Sequence, residues 1–501
     1  MDRQTVCTLI RTSRLFHHAG ARYLLVDGVS LCNEQVDSFV QFMIADGDHR
    51  FPLLCTLTLS ATTLPLFTGY ILAQLFHRLA RKGALCSLKL DDAESLLRSH
   101  PELLYAIAEL PKLKSLCMYQ IGRHGRTLMK LLRSELVYAN LGTPYQVFMG
   151  RDDDGQIEDR EDADAAVVDN DGPSQGGDDL ITALHQSCQS LRELRMTFAS
   201  DYSQAQTLVF PNLTSLTLHA GLLDAPVTGY FSCMFPNLKE FEVYTFNPDH
   251  KPFGILDFAD RRDDNMDNQA ECKRWRTLRY YDGTLEALFS LGIECRIDWV
   301  KLKSEDSALD PFMLSEALQE ARPVHLCLEF WGVSSFLDEE FLEIFEEEGV
   351  ERLETLEISV YAADGEEHLD AMEILDAVTS RIVAPLRYLK EFWLDIECDF
   401  LGYYGPGPVS NGNTSLKRAL HKVDGDDFAE RLVQASAAAS GSLVSVSVKL
   451  PTSYKKPKRG GRGVFGPPIR EFHSAYDAMV NATHPRDEDD KKAWSGVRRF
   501  I

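Results

Sequence analysis

The stretch Phe210-Pro211-Asn212-Leu213-Thr214-Ser215-Leu216-Thr217-Leu218 returns with the same apolar spacing as Phe235-Pro236-Asn237-Leu238-Lys239-Glu240-Phe241-Glu242-Val243. Its core is apolar-x-x-apolar-x-apolar. The closing alternation sends the last two apolar side chains to one face of a short strand and the residues between them to the other. A strand this short cannot bury its face alone. It needs copies beside it, so the repeat predicts an array of stacked units rather than one compact core.

The same core recurs at Leu54/Leu57/Leu59, Leu85/Leu88/Leu90, Leu113/Leu116/Met118, Leu191/Leu194/Met196, Leu353/Leu356/Ile358, Leu389/Phe392/Leu394 and Leu443/Val446/Val448. Trp275/Leu278/Tyr280, Ile297/Val300/Leu302 and Pro323/Leu326/Leu328 keep the spacing without a leading leucine. Copies stand as close as Leu191 to Leu213 and as far apart as Leu389 to Leu443, so the array is divergent and carries insertions. Between them lie helical stripes: Val36 to Ile44, Ile71 to Leu79 closed by Lys82-Gly83, Leu103 to Leu110, Leu128 to Leu136, Leu180 to Leu184, Phe336 to Phe345 and Leu369 to Ile382. Strand and helix in alternation imply parallel strands with helical crossovers. A period of roughly 20 to 29 residues resembles leucine-rich repeats. The expected fold is α/β, a leucine-rich-repeat-like solenoid with strands on one face and helices on the other. Unrelated buried strands of an ordinary α/β domain are the competing reading.

A chain of 501 residues is too long for one core, but a solenoid grows without thickening. The net charge of −24 disfavours nucleic acid and anionic membrane surfaces and suits a basic partner. Eleven cysteines without C-x-x-C spacing, several in the repeat strands (Cys55, Cys86, Cys327), read as small buried hydrophobes in a reducing compartment. With no signal peptide and no apolar run long enough to span a bilayer, a cytoplasmic or nuclear location is expected. Residues 151–179 hold twelve Asp or Glu against two Arg and read as a disordered acidic insertion; Asp260 to Glu271 reads as a smaller acidic loop. The run Lys455 to Arg462 is basic, and leaves open a nuclear import signal, a nucleic-acid contact or a solvated loop.

Residues 2–25 place Val6, Leu9 and Ile10, then Leu15 and Phe16, on helical spacing around a Thr12-Ser13 turn, so two short helices are expected. The segment resembles the second half of an F-box: the apolar helix positions are Val6, Leu9 and Ile10, the small-plus-basic step is Ser13-Arg14, and the aromatic is Phe16. The Leu-Pro opening and first helix of that family have no counterpart here. With Tyr23-Leu24-Leu25, Gly28-Val29-Ser30-Leu31 and a strand led by Phe51-Pro52, the chain is similar to fungal F-box proteins with leucine-rich-repeat-like domains. The resemblance implies a substrate receptor of an SCF-type ubiquitin ligase. Val6, Leu9, Ile10, Leu15 and Phe16 would grip a Skp-family adaptor joined to a cullin, while the repeats hold a target protein for degradation. A recognition scaffold that has lost the ligase connection is the alternative. The expected division is a partial F-box at 1–28, repeats at 29–150, the insertion at 151–179, repeats at 180–450, and a basic flexible tail with one short helix at 451–501.

No nucleophile elbow, phosphate-binding loop or metal-ligand spacing is present, so the expectation is no enzyme, no cofactor and no metal. The working surface would be the strand residues between the apolar positions. Among these Glu240, Glu242, Trp299, Glu357, Glu391, Trp393 and Asp395 combine aromatic rings with carboxylates, which suits a target presenting Lys or Arg. Trp299 and Trp393 turned back into the core is the competing placement.

Overall fold

The computed structural model describes residues 14–45, 47–142, 180–198, 208–221, 227–246, 255–271, 274–304, 308–362, 366, 368–398, 415–439 and 443–450. The chain forms two compact units, Met1–Thr452 and Ser453–Ile501. The second unit, with its expected tail helix, lies outside the described residues, as do the acidic insertion and residues 2–13.

The first unit carries β1 (Val29–Leu31), β2 (Thr56–Leu59), β3 (Ser87–Leu90), β4 (Ser115–Met118), β5 (Tyr138–Leu141), β6 (Glu193–Phe198) and β7 (Ser215–Gly221). It continues with β8 (Glu240–Phe246), β9 (Thr277–Thr284), β10 (Arg296–Lys303), β11 (His325–Trp331), β12 (Thr355–Tyr361), β13 (Glu391–Glu397) and β14 (Ser445–Lys449). All fourteen lie in one sheet, and their order in space is their order in the chain. Every neighbouring pair is parallel. The fold is therefore an all-parallel, solenoid-like α/β array. The registers align the repeat cores: Leu57, Leu88, Leu116, Leu194, Leu216, Phe241, Val300, Leu326, Leu356 and Phe392 are all fully buried, or within one percent of it. Each such side chain contributes about 1.5–3 kcal/mol of burial, which no strand of four residues could secure alone.

The Phe-Pro-Asn lead-in has a physical reason. Phe210 and Phe235 are buried with ring centroids 5.6 Å apart, joining successive units through their interiors. Asn212 and Asn237 donate from Nδ2 to the carbonyls of Gln189 and Pro211, each in the preceding unit, at 2.7 and 2.8 Å. The turn into each strand also repeats. One carbonyl accepts two successive N–H groups, as Cys86 does from Lys114 and Ser115, Thr214 from Lys239 and Glu240, and Glu354 from Lys390 and Glu391.

Two strands lack an expected core. β1 closes the N-terminal end, and β5 fills the gap between Met118 and Leu191 with Leu136, Ala139 and Leu141, all buried. Alanine at the middle position hides β5 from a search for large apolar residues. The helical stripes hold as Asn33–Ala45, Leu66–Lys82, Pro101–Ala108 and Leu180–Ala183, while the one expected over Leu128 to Leu136 is instead the helix Arg123–Leu131, with Leu132 to Leu136 beyond its end. The stretch around Phe336 to Phe345 is instead broken into a 3₁₀ turn, the helix Glu339–Glu343 and a second 3₁₀ turn. The helix Ala371–Ala377 runs on into a π-helical turn, Val378–Val383.

Three expectations are corrected. Asp260 to Glu271 is no loop but most of the helix Ile255–Glu271. It lacks apolar period because its inward face is polar: Arg262, Asn265 and Gln269 are buried and bond to neighbouring units. The core of β9 is Leu278/Tyr281/Gly283, which pairs in register with Ile297/Val300/Leu302, while Tyr280 faces the other way. Gly283 stands where other strands carry a large apolar residue, since a Cβ there would meet the Val243 carbonyl at 2.5 Å and the Tyr281 hydroxyl at 2.8 Å. Most of the cysteines are not core residues: among the described ones Cys295 alone is buried, Cys55 and Cys86 precede their strands, and Cys327 faces away from the helices.

The helix Arg123–Leu131 begins at Gly122, which offers no capping side chain. Glu94, one unit earlier, supplies the cap from outside. Its carboxylate accepts from the N–H groups of Gly122, His124 and Gly125 at 2.9–3.2 Å and from His124 Nδ1 at 2.8 Å. Burial pushes the Glu94 carboxyl up, but the bonds from His124 and Gly125 outweigh it and hold the group below its usual range. A carboxyl lowered by folding stabilises fully above its unfolded value of about 4.3, and that contribution is lost as pH falls through the lower, folded value. Glu94→Ala is expected to cost about 1–2 kcal/mol at neutral pH. Hydrogen exchange at Gly122, His124 and Gly125, corrected for intrinsic rates, should then rise about tenfold. In the wild-type chain the same amides should lose protection on acidification below that range.

Candidate functional site

Helices cover one face of the sheet, so the other face presents the residues that alternate with the buried ones. Register places these in rows across strands. The first row runs Glu240, Tyr280, Trp299, His325, Thr355 and Glu391 from β8 to β13. Three rings on successive strands are thus flanked by glutamates. Trp299 and His325 stack with centroids 4.7 Å apart and planes 22° from parallel. Burial pushes the His325 imidazole below its usual range, so the ring meets Trp299 as a neutral aromatic.

The second row reads Arg195, Thr217, Glu242, Asp282, Lys301, Cys327, Glu357 and Trp393. Glu242 and Asp282 face each other across β8 and β9. Two carboxylates so placed need local donors. Thr217 Oγ1 donates to Glu242 at 3.0 Å, Tyr280 donates its phenolic proton to Asp282 at 3.0 Å, and Lys303 Nζ lies 3.4 Å from the other Asp282 oxygen. Burial pushes the Glu242 carboxyl up, against the Thr217 hydroxyl and the Arg195 guanidinium. Burial likewise raises Tyr280, and the Asp282 charge adds to it, which keeps the phenol protonated as a donor. Beside them His219 stacks on Tyr244 at 5.2 Å, and Lys303 lies 5.7 Å above the same tyrosine ring.

Farther along, burial raises the Glu357 carboxyl against Lys301, and the Cys327 thiol is pushed up to about 12, chiefly by burial. That thiol is protonated at neutral pH and unsuited to nucleophilic attack. Trp393 is 39% exposed on β13, and Trp299 is half-buried; neither is turned into the core. Tyr361 donates to Glu329 at 3.2 Å, and Asp395 pairs with Lys449 at 2.6 Å through one oxygen.

All seven expected target-contacting residues, Glu240, Glu242, Trp299, Glu357, Glu391, Trp393 and Asp395, lie on this one face. Glu357 and Trp393 are direct neighbours, and Asp395 is engaged by Lys449. Asp282, Tyr280, Tyr244, Glu329 and Arg195 belong to the same surface without having been singled out. The alternation of β9 counted from Tyr281 would have found the first two. Of the expected adaptor contacts, Val6, Leu9 and Ile10 lie outside the described residues. Leu15 and Phe16 fall in the helix Arg14–Val26, the second of the two expected, and their side chains are likewise outside the description.

Between β8 and β13 the face carries Glu240, Glu242, Asp282, Glu329, Glu357, Glu391 and Asp395 against Lys301 and Lys303, so its field is negative. Among the described residues no three His, Cys, Asp or Glu side chains are placed to hold a metal ion, and no helix is long and apolar enough to cross a membrane. No protein-family model matches the chain, and no curated protein matches it.

Proposed function

We propose that the chain is a non-catalytic recognition protein, a leucine-rich-repeat-type solenoid whose open sheet face holds a basic segment of a target protein. The observation that carries this reading is the first row, in which Tyr280, Trp299 and His325 stand between Glu240 and Glu391. A Lys or Arg side chain laid on such rings gains a cation–π contact of about 0.5–2 kcal/mol, more where water is excluded. The carboxylates beside the rings steer it there and penalise acidic competitors.

By its resemblance to the second half of an F-box, the N-terminal segment would join this surface to a Skp-family adaptor and a cullin. The protein would then be the substrate receptor of an SCF-type ubiquitin ligase. It would catalyse nothing and would raise the concentration of target lysines near a charged conjugating enzyme. The test is a pull-down of the 501-residue chain with purified Skp-family adaptor, beside a Leu9→Ala, Phe16→Ala variant. Saturable binding that the variant loses is expected. Binding by neither chain removes the ligase link and leaves a recognition scaffold with the same open face.

A further inference from the structure

The row of residues that leads into the strands carries charge along much of the sheet, and at both ends that charge is paired. Lys390 meets Glu354 at 2.8 Å between β12 and β13, and Lys114 meets Glu135 at 3.9 Å beside β4. In the middle, among the described residues, it is not. Arg192, Thr214, Lys239 and Arg279 occupy successive rungs at β6 to β9, linked by backbone bonds from Thr214 to Arg192, Lys239 to Thr214 and Arg279 to Lys239. Lys239 and Arg279 are thus like charges on facing rungs, an arrangement that costs stability in a sheet. Arg276 and Arg296 extend the stripe, since Arg296 pairs in register with Thr277.

Among the described residues none of these five cations makes an ion pair, and Arg192, Lys239, Arg276 and Arg296 are exposed. Of the carboxylates nearby, Glu193 is engaged by Arg195 and Glu294 by Arg274, while Glu240 and Asp298 border the stripe. The stripe ends at Asp298, the same position on β10. In a chain of net charge −24, five cations on one edge without an ion pair among the described residues form a local reversal of sign.

We infer that this edge docks an acidic peptide segment of a partner protein. Arg192 to Arg296 crosses four strand spacings of about 4.8 Å, roughly 19 Å, which about six extended residues span. A short run of carboxylates fits that length. A longer polyanion laid along the row would run onto Asp298, where the stripe ends, so nucleic acid is the disfavoured occupant. The stripe adjoins the first row proposed to hold a basic segment but shares no residue with it, and a target with adjoining acidic and basic stretches would engage both.

The test is fluorescence anisotropy of labelled hexaglutamate titrated with the full chain at low salt. Saturable binding is expected, weakened by added salt. Lys239→Glu with Arg279→Glu should weaken it by about tenfold or more, whereas Lys422→Glu, an exposed control, should change it less than about twofold. Absence of saturable binding overturns the inference, as does equal binding by the double variant. A thymidine hexanucleotide that binds as tightly as hexaglutamate and depends on the same two residues also overturns it, by making the edge a general polyanion contact. These variants leave the open-face rows and residues 2–25 intact, so failure here is distinguishable from failure of the adaptor or basic-segment tests.

Discussion

Replacing Asn265 by Leu should destabilise the middle of the array by at least about 3 kcal/mol, although the new side chain is apolar and of similar size. Asn265 is 3% exposed and sits on the inward face of the helix Ile255–Glu271. Its Oδ1 accepts from the N–H groups of Val227 at 2.7 Å and Thr228 at 3.0 Å, and its Nδ2 donates to the Ser290 carbonyl at 2.8 Å. Three backbone groups from two neighbouring units therefore depend on one amide. Leucine would leave all three buried without partners, each costing about 1–3 kcal/mol. Gln269 donates to the Gly292 carbonyl at 2.6 Å, and Arg262 reaches Glu316 and Glu320 on the helix Pro311–Ala321 at 3.1 and 2.7 Å. Close approach is required on the other side too. A Cβ at Gly229 would meet Asn268 Oδ1 at 2.1 Å.

Urea unfolding should show the loss, and exchange at the Val227 and Thr228 amides should place it. Asp263→Leu on the exposed side of the same helix should leave both unchanged within about 0.5 kcal/mol. A neutral Asn265→Leu would mean that packing, not this amide, holds the helix in place.

The same helix marks where sequence reasoning stops. The repeat cores are legible because Leu216, Leu356 and their equivalents are buried for the same reason in every unit, and apolar spacing reports burial directly. Arg262, Asn265 and Gln269 are also buried, but they are there to satisfy backbone groups far away in the chain, and no hydrophobic period records that. At β9 the aromatic residues defeat the count. Tyr280 and Tyr281 can each fill an apolar position, and only the pairing of Tyr281 with Phe241 and Val300 fixes which one faces the core. The open face was legible residue by residue, as Trp299 and Glu242 attest. Its rows were not, because Tyr280, Trp299 and His325 become neighbours only once three strands lie side by side.

The open face should lose most of its affinity for a cationic segment when its rings are removed. Trp393 is an exposed ring of the open face, beside Glu357, and Trp299 forms the centre of the first row. Two cation–π contacts of about 0.5–2 kcal/mol each correspond to a loss of roughly fivefold to several hundredfold in affinity. Charge alone cannot imitate this. A chain of net charge −24 attracts any polycation weakly and from every side, including the outward aspartates Asp260, Asp263, Asp264 and Asp267 of the helix Ile255–Glu271. Removing two neutral rings leaves that general attraction untouched, so the aromatic variants separate recognition from charge.

The measurement that tests the account most directly is an anisotropy titration of labelled octa-arginine with the wild-type chain, with Trp299→Ala, Trp393→Ala, and with Asp263→Asn, Asp264→Asn, each first verified as folded by circular dichroism. The account predicts a Kd raised at least about fivefold in the tryptophan variant and changed less than about twofold in the helix variant. Equal binding by the wild-type chain and the tryptophan variant, or a loss confined to the helix variant, would contradict it.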